Sequence, residues 1–263
     1  MKINTIIFDW AGTTVDYGCM APVKAFEKAF ADVGIDLSPD QIREPMGMLK
    51  IDHIKALLEM SNVKKAWHEH YGRASEDSDI QKIYAAFENY LFEDLAENST
   101  LKPDTLEVFN TLKEKGFNIG STTGYTKEMM TVVAKEAEKF GYKPDFVATP
   151  DDVQSIGRPY PYMIFENMKY FGTLSVNEVV KVGDTVSDIK EGKNAGVYTI
   201  AVIEGSSELG LSFEEYQRLS VQERENLVEK AATTFYSAGA DNCILTLSEL
   251  IPLVLEPITQ AVH

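Results

Sequence analysis

The sequence contains little cysteine, few basic residues and no long apolar run. Cys19 and Cys243 are the only cysteines in 263 residues, which excludes a disulfide framework and a cysteine-ligated metal cluster. The longest apolar stretches, such as 200–203, fall far short of the ~20 residues that a membrane helix needs. The apolar run at the N-terminus stops at Asp9, with no small-residue cleavage site behind it. We therefore expect a cytoplasmic protein with no membrane partner.

Basic residues are outnumbered by acidic ones, with 25 Lys+Arg against 41 Asp+Glu and a formal net charge of −16. A surface of this charge repels polyanions, so we expect no nucleic-acid partner and no binding to anionic membranes. A small anionic substrate is still compatible with it, because a binding site needs only a few local cations and amide donors. The length and a hydrophobic content of 44% predict one large domain, or a core with a smaller partner.

Strand and helix patterns alternate over most of the chain. Helical spacings separate the predicted strands, and after residue 206 we expect helices plus a short strand near 243–245. The predicted strands before that point are 3–8, 117–121, 146–148, 178–182 and 199–203. This alternation predicts an α/β fold with a doubly wound parallel sheet and right-handed crossovers.

An unbroken helical pattern, reaching to about residue 97, separates the first strand from the rest of the sheet. Its apolar residues recur at spacings of three and four, and no alternating strand pattern interrupts them. We therefore predict an all-helical cap inserted into the sheet domain. The predicted core domain comprises residues 1–18 and 99–263, and the predicted cap domain comprises residues 19–98.

Polar residues follow the ends of four predicted strands. They are Asp9, Thr123 with Gly124, the loop leading to Arg158, and Asp184 with Asp188. In doubly wound sheets, ligands bind beyond the carboxyl ends of the strands. Converging carboxylates repel one another unless a hard dication such as Mg²⁺ neutralises them, and arginine supplies a fixed charge for an anion. This set predicts phosphoryl transfer with Asp9 as the nucleophile, although Asp9 taken alone is also consistent with a helix N-cap.

The order of these motifs resembles that of the haloacid dehalogenase superfamily. The matching segments are Phe8-Asp9-Trp10-Ala11-Gly12-Thr13, Ser121-Thr122-Thr123-Gly124, Arg158-Pro159 and Gly183-Asp184 through Asp188. The resemblance implies a Rossmann-like core and an aspartyl phosphate on Asp9. It also implies that Asp9, the backbone carbonyl of Ala11 and Asp184 ligate Mg²⁺, with Asp188 and Thr185 in support.

Ala11 departs from the pattern of the superfamily's phosphatases. Those enzymes usually carry a second aspartate two residues after the nucleophile, which serves as general acid and base for an oxygen leaving group. One explanation for Ala11 is decay to an inactive binding protein or a crippled phosphatase. The other is a substrate whose leaving group is not helped by protonation of an oxygen.

The helical segment supplies a second motif, Met46-Gly47-Met48-Leu49-Lys50-Ile51-Asp52-His53. Together with the segment from Asp9 to Gly18, this motif resembles the phosphonoacetaldehyde hydrolase family, whose cap lysine forms a Schiff base with the substrate aldehyde. The resemblance makes Asp9, Lys50 and His53 the candidate catalytic residues. From position alone, Lys50 and His53 are also consistent with solvated residues on one helix face.

A lysine suits carbon–phosphorus cleavage because the bond leaves its electron pair on carbon. A carbanion beside a protonated imine collapses to an enamine, so Lys50 would accept the electrons while Asp9 attacks phosphorus. No alkoxide departs, which explains why the general acid–base aspartate can be replaced by Ala11. With an ordinary pKa of ~10.4, only about 0.04% of lysine is neutral at pH 7. We therefore expect the pKa of Lys50 to be lowered by burial, or by Arg158, Mg²⁺ or a protonated His53.

The expected reaction converts phosphonoacetaldehyde to acetaldehyde and phosphate. Thr123, Gly124 and Arg158 are the candidate phosphate-binding residues. Tyr125, Met46 and Cys19 are candidate pocket walls, or simply packing. Hinges are expected near 15–22 and 97–103, and the resemblance implies a homodimer joined through the caps. A phosphate-ester phosphatase of the same superfamily and a catalytically silent phosphate-binding module are the alternatives.

Overall fold

The computed structural model describes residues 2–256. A parallel sheet forms its centre, built from strands rich in β-branched residues that are buried on both faces. The strands are β1 (Thr5–Phe8), β2 (Asn118–Thr122), β3 (Phe146–Ala148), β4 (Val179–Gly183), β5 (Tyr198–Val202) and β6 (Asn242–Ile244). Their order is β3-β2-β1-β4-β5-β6, and each neighbouring pair is parallel. The predicted α/β class with a doubly wound parallel sheet is confirmed.

Helices cover both faces of this sheet and fill the segment between β1 and β2. In chain order they are α1 (Met20–Ala31), α2 (Pro39–Arg43), α3 (Lys50–Glu59), α4 (Ser61–Tyr71), α5 (Asp77–Asp94), α6 (Thr105–Glu114), α7 (Lys127–Lys139), α8 (Tyr162–Phe171), α9 (Val186–Ala195), α10 (Phe213–Arg218), α11 (Val221–Ala238) and α12 (Leu250–Leu255). Alternate residues of β1 show how the two layers form. Ile6 and Phe8 join the large core that continues into the helical segment, while Ile7 packs with Ile164 of α8 on the other face.

The helical insert, helices α1 to α5, contains no strand, as its sequence pattern predicts. Its longest helices, α1 and α5, pack together, and Phe26 stacks on Phe87 with ring centroids 4.2 Å apart. Helices α2 and α4 had no separate prediction. The predicted domain boundaries stay a prediction, and residues 1 and 257–263 of the predicted core lie outside the described part of the chain.

The chain crosses between insert and sheet at two segments that touch each other. Val15 pairs with Leu101 in an isolated antiparallel bridge. Just beyond it, Asp16, Gly18 and Cys19 have φ values of 52°, 81° and 52°, a conformation that costs energy for residues other than glycine. These segments coincide with the predicted hinges.

No helix among residues 2–256 is both long enough and apolar enough to cross a membrane.

Candidate active site

The carboxyl ends of the strands and one turn of the helical insert border a small cavity. Most of the candidate residues line it, although they come from distant parts of the sequence. The lining residues are Asp9, Ala11, Cys19, Met46, Gly47, Lys50, Thr123, Gly124, Tyr125, Arg158 and Thr185. The cavity lies where the strand order reverses between β1 and β4, which is the expected ligand position in a doubly wound sheet.

Asp9 follows the last residue of β1 and is 5% exposed. Its backbone N–H donates to the carbonyl of Val182 at 2.9 Å, which extends the pairing with β4. Its Oδ1 accepts a hydrogen bond of 2.7 Å from Nη2 of Arg158. This charged contact, rather than a backbone N–H of the next turn, holds the carboxylate, so the N-cap alternative is wrong.

Asp184 and Asp188 lie beside Asp9, and one carboxylate oxygen from each of the three falls within 4.8 Å of the others. Burial, together with the charges of Asp9 and Asp188, raises the pKa of Asp184 well above its usual range. The Asp184 carboxylate also accepts hydrogen bonds from Thr13 Oγ1 at 2.7 Å and from the Ser207 N–H at 2.8 Å. Buried carboxylates that repel one another, with oxygen as the donor atom, fit a hard divalent cation.

Asp188 is held by its own helix and by two cations. Thr185 is the N-cap of α9, and the two side chains form a reciprocal capping box with a 2.5 Å hydrogen bond from Thr185 Oγ1 to Asp188 Oδ2. The other oxygen lies 3.0 Å from Arg158 Nη1 and 2.8 Å from Lys181 Nζ. Burial alone would raise the pKa of Asp188, but these two cations lower it below its usual range.

Lys50 begins α3 and reaches the cavity from the helical insert. It is only 3% exposed, so the interpretation of Lys50 as a solvated surface lysine is wrong. Its Nζ lies 5.0 Å from the ring centroid of Tyr125. Burial lowers the pKa of Lys50, and the charge of Arg158 acts in the same direction while Asp9 opposes it. A lowered pKa is the direction that imine formation requires.

His53 is fully buried but does not line the cavity, so its interpretation as a helix-surface residue is also wrong. Its Nε2–H donates to the carbonyl of Ile42 at 2.8 Å, and its ring lies 4.1 Å from that of Phe26. Burial and the nearby charge of Lys50 lower the pKa of His53 well below its usual range. The expectation that a protonated His53 lowers the pKa of Lys50 is therefore wrong. The catalytic role of His53 stays a prediction.

The loop after β2 meets the Met46–Lys50 turn of the insert directly. A side chain at Gly124 would collide with the carbonyls of Gly47 and Met48. Thr123 Oγ1 accepts a 3.1 Å hydrogen bond from the Tyr125 N–H, which shapes this loop around the cavity. The predicted pocket residues of the insert therefore lie directly opposite those of the sheet domain.

Cys19 and Met46 are buried and line the same cavity. Burial raises the pKa of the Cys19 thiol well above its usual range, and the charge of Asp16 adds to the effect. The thiol is therefore protonated near neutral pH and acts as an uncharged wall.

Sequence reasoning missed several buried charged residues around the site. Lys181 interrupts the apolar strand β4, and Glu191 lies one turn after Asp188 on α9, so both carried a detectable signal. Lys102 donates to the carbonyls of Gly12 and Glu204, and its position within the predicted hinge at 97–103 gave no such signal.

Comparison with known proteins agrees with this geometry. Residues 3–196 match the family model described as haloacid dehalogenase-like hydrolase. The chain belongs to this family of hydrolases. Over 250 residues it is 48% identical to the phosphonoacetaldehyde hydrolase of Bacillus anthracis, covering 95% of this chain and 94% of the relative. Within the hydrolases, the chain therefore belongs to the phosphonoacetaldehyde hydrolases.

A longer relative and a solved structure extend the comparison. The bifunctional phosphonoacetaldehyde hydrolase/aminoethylphosphonate transaminase of Clostridioides difficile (strain 630) is 46% identical over 97% of this chain, which spans 40% of that protein. A phosphonoacetaldehyde hydrolase like protein from Oleispira antarctica superposes with a TM-score of 0.94 at 35% identity, covering 97% of this chain and 92% of the other. A beta-phosphoglucomutase from Bacteroides vulgatus, with a TM-score of 0.65 at 17% identity, shares the fold alone.

Proposed function

We propose that this enzyme cleaves the carbon–phosphorus bond of phosphonoacetaldehyde, releasing acetaldehyde and phosphate. One observation carries the proposal: a buried lysine from the insert and a buried aspartate from the sheet line the same small cavity. Ester hydrolysis needs no imine-forming amine, whereas breaking a carbon–phosphorus bond needs an acceptor for the electron pair left on carbon. The name of the 48% identical relative supports the same substrate.

In the proposed mechanism, the neutral amine of Lys50 condenses with the aldehyde, takes up one proton and releases water, giving a protonated imine. Asp9 then attacks phosphorus, and the electrons of the breaking bond move into the imine to form an enamine. Protonation of carbon and addition of water to the imine release acetaldehyde and free Lys50. Water cleaves the aspartyl phosphate and restores Asp9.

Burial prepares Lys50 for the first step. Neutralising an ordinary lysine at pH 7 costs roughly 4.6 kcal/mol, and the buried position of Lys50 beside Arg158 lowers its pKa and reduces that cost. The guanidinium of Arg158 contacts Asp9 and lines the cavity, where it meets the charge of a phosphoryl group. Thr123 and Gly124 are the proposed hydroxyl and amide donors to the same group.

We propose that Asp9, the backbone carbonyl of Ala11 and Asp184 hold Mg²⁺, with Asp188 and Thr185 in support. The clustered buried carboxylates support this assignment. When bound, the ion offsets the negative charge of the carboxylates and the phosphoryl oxygens. With Ala11 at the usual acid–base position, the chain presents no carboxyl group there to protonate an oxygen leaving group.

Borohydride trapping tests the role of Lys50. Reduction in the presence of phosphonoacetaldehyde should attach the two-carbon unit of the substrate to Lys50 and abolish activity, with mass spectrometry of peptides locating the label. Lys50→Arg keeps the charge but forms no imine, so we expect at least a 10³-fold loss of acetaldehyde release, on the order of 4 kcal/mol of barrier.

Lys55 provides the matched control. It lies on the same helix but is exposed, 3.4 Å from Asp52, so Lys55→Arg should change the rate by less than about twofold. Label on Lys55 or Lys102, or full activity of Lys50→Arg, would contradict the proposal. Cleavage of phosphoglycolate or a sugar phosphate that survives Lys50→Arg would favour the ester phosphatase. Absence of any Mg²⁺-dependent turnover would favour the silent binding module.

We further propose that residues 19–98 act as a cap domain over a core of 1–18 and 99–263. The caps would join two copies of the chain into a homodimer in the cytoplasm. Light scattering after size-exclusion chromatography measures the assembly, and a monomer at micromolar concentration would contradict it.

A further inference from the structure

We propose that Glu191 and Lys181 are positioning residues that hold Arg158 in the orientation in which it contacts Asp9. The inference rests on the proposed function, since it assigns the support of the nucleophile in that reaction. Neither residue lines the cavity, and both side chains are fully buried.

Each nitrogen of the Arg158 guanidinium has a different partner. Nε donates to Glu191 Oε2 at 3.0 Å, and Nη1 lies 3.0 Å from Asp188 Oδ1. Nη2 donates to Asp9 Oδ1 at 2.7 Å and to Thr122 Oγ1 at 2.8 Å. The guanidinium is a rigid planar fork, so fixing Nε and Nη1 determines where Nη2 points. Glu191, which binds Nε, therefore helps to set the direction in which Nη2 contacts Asp9.

Lys181 balances the negative charge of Asp188 and Glu191 in this cluster. Its Nζ lies 2.8 Å from Asp188 Oδ1 and 3.4 Å from Glu191 Oε2, and it donates to Thr122 Oγ1 at 2.9 Å. Two cations thus face two carboxylates behind the nucleophile. Without Lys181, both carboxylates would attract Arg158 alone and compete with Asp9 for its guanidinium.

The supporting groups stand on the regular elements of the sheet domain. Lys181 lies in the middle of β4, Thr122 ends β2, and Glu191 follows Asp188 by one turn of α9. Thr122 Oγ1 also donates to Glu191 Oε2 at 2.9 Å, so the three elements are linked by hydrogen bonds. Side chains held on strands and helices keep a catalytic geometry better than side chains on loops.

Two double variants separate positioning from folding. Lys181→Met/Glu191→Met and Lys181→Met/Glu191→Gln both remove the buried charge pair, which proteins often tolerate without loss of stability. They differ in one respect, because glutamine keeps an acceptor for Arg158 Nε. We expect similar melting temperatures but a kcat for phosphonoacetaldehyde about tenfold or more lower in the methionine pair, since small displacements of reacting groups are costly.

A spectroscopic readout accompanies the kinetics. In ¹⁵N-arginine-labelled protein, the Nε–H signal absent from Arg158→Lys belongs to Arg158. We expect slow solvent exchange of this proton in the wild type and the glutamine pair, and faster exchange in the methionine pair.

Equal kcat and equal exchange in the two folded variants would overturn the inference. If the methionine pair does not fold, Glu191→Asp serves instead, because it keeps the charge but withdraws the acceptor by one methylene. We expect its kcat to fall about tenfold, and a wild-type value in the folded variant would overturn the inference. A wild-type enzyme that leaves phosphonoacetaldehyde intact would contradict the proposed function instead, and the exchange measurement would still report on Glu191.

Discussion

Lys50 and Asp9 approach one cavity from the helical insert and from the sheet, and both are nearly excluded from solvent. Their neighbours determine what burial does to each. Asp9 has the guanidinium of Arg158 as a partner, whereas Lys50 faces the ring of Tyr125 and an arginine charge that repels its ammonium form. The charge of Arg158 thus pairs with the Asp9 carboxylate and, together with burial, lowers the pKa of Lys50.

Gly12 is one of the glycines that pack directly against the acidic cluster. Its φ is 85°, and a methyl group there would collide with the carboxylate of Asp184. We expect Gly12→Ala to lower kcat at least 100-fold, because the collision displaces Asp184. Steady-state kinetics and thermal unfolding measure the effect.

Gly116 offers a matched control, with φ 83° and open space around the position of a Cβ. Gly116→Ala should cost about 1–2 kcal/mol of unfolding free energy for its left-handed backbone and leave kcat unchanged. If the two variants lose activity equally, the close approach of Gly12 to Asp184 is not what matters.

Among single residues, the polar residues after strand ends predicted Asp9, Arg158 and Asp184 as candidate site residues, whereas Lys50 was predicted only from the resemblance of its motif to the family. The protonation of His53 was mispredicted, because its burial depends on Phe26 and Ile42 from other helices of the insert. No local signal reports such burial.

Strands were predicted within one or two residues where their pattern was strong. The strand 146–148 has the predicted bounds, and β2 begins one residue later than expected. Helix α2 spans only Pro39–Arg43, which is too short for periodicity to reveal. Its last residue nevertheless joins the insert to the sheet domain.

Arg43 connects α2 to the loop that follows β5. Its Nη1 donates to the carbonyls of Gly18 at 2.7 Å and Ser207 at 3.2 Å, and its Nη2 donates to that of Gly210 at 3.3 Å. The Ser207 N–H in turn binds Asp184. We expect Arg43→Met to lower kcat/KM about tenfold, because charged hydrogen bonds contribute about 1.5–3 kcal/mol each and their loss loosens the contact between the insert and the sheet domain.

Arg73 is the control arginine, since its bidentate contact with Asp79 lies within the insert and is partly exposed. Arg73→Met should change kcat/KM by less than about twofold. Comparable losses in the two variants would indicate a general effect on the insert rather than a link to the sheet domain.

At the scale of the whole molecule, three carboxylates from β1 and from β4 with its following helix meet at one sheet edge and repel one another. A cation that binds only the folded state stabilises it by mass action. At 100 times its Kd, Mg²⁺ should add about 2.7 kcal/mol, which corresponds to a rise in Tm of roughly 5 °C or more. Scanning calorimetry with and without Mg²⁺ measures this rise.

For Asp184→Asn we expect an unfolding temperature that responds to Mg²⁺ differently from that of the wild type. Without Mg²⁺ the variant should unfold at or above the wild-type temperature, because one repelling charge is gone while Thr13 and Ser207 still find partners. With Mg²⁺ its Tm should stay the same. A variant that gains as much stability from Mg²⁺ as the wild type would contradict the proposed ligand set.

The order of strands, helices and motifs along the chain determined the fold class and the inserted helices, since these depend on local periodicity. It also predicted the candidate reacting groups, from residues at strand ends and, for Lys50, from a motif that resembles the family. Only the tertiary structure decided that Lys50 is buried, that His53 is buried but does not line the cavity, and that Lys181 and Glu191 belong to the ion-pair cluster around Arg158. Those outcomes depend on contacts between side chains that are far apart in the sequence, and local sequence patterns do not specify such contacts.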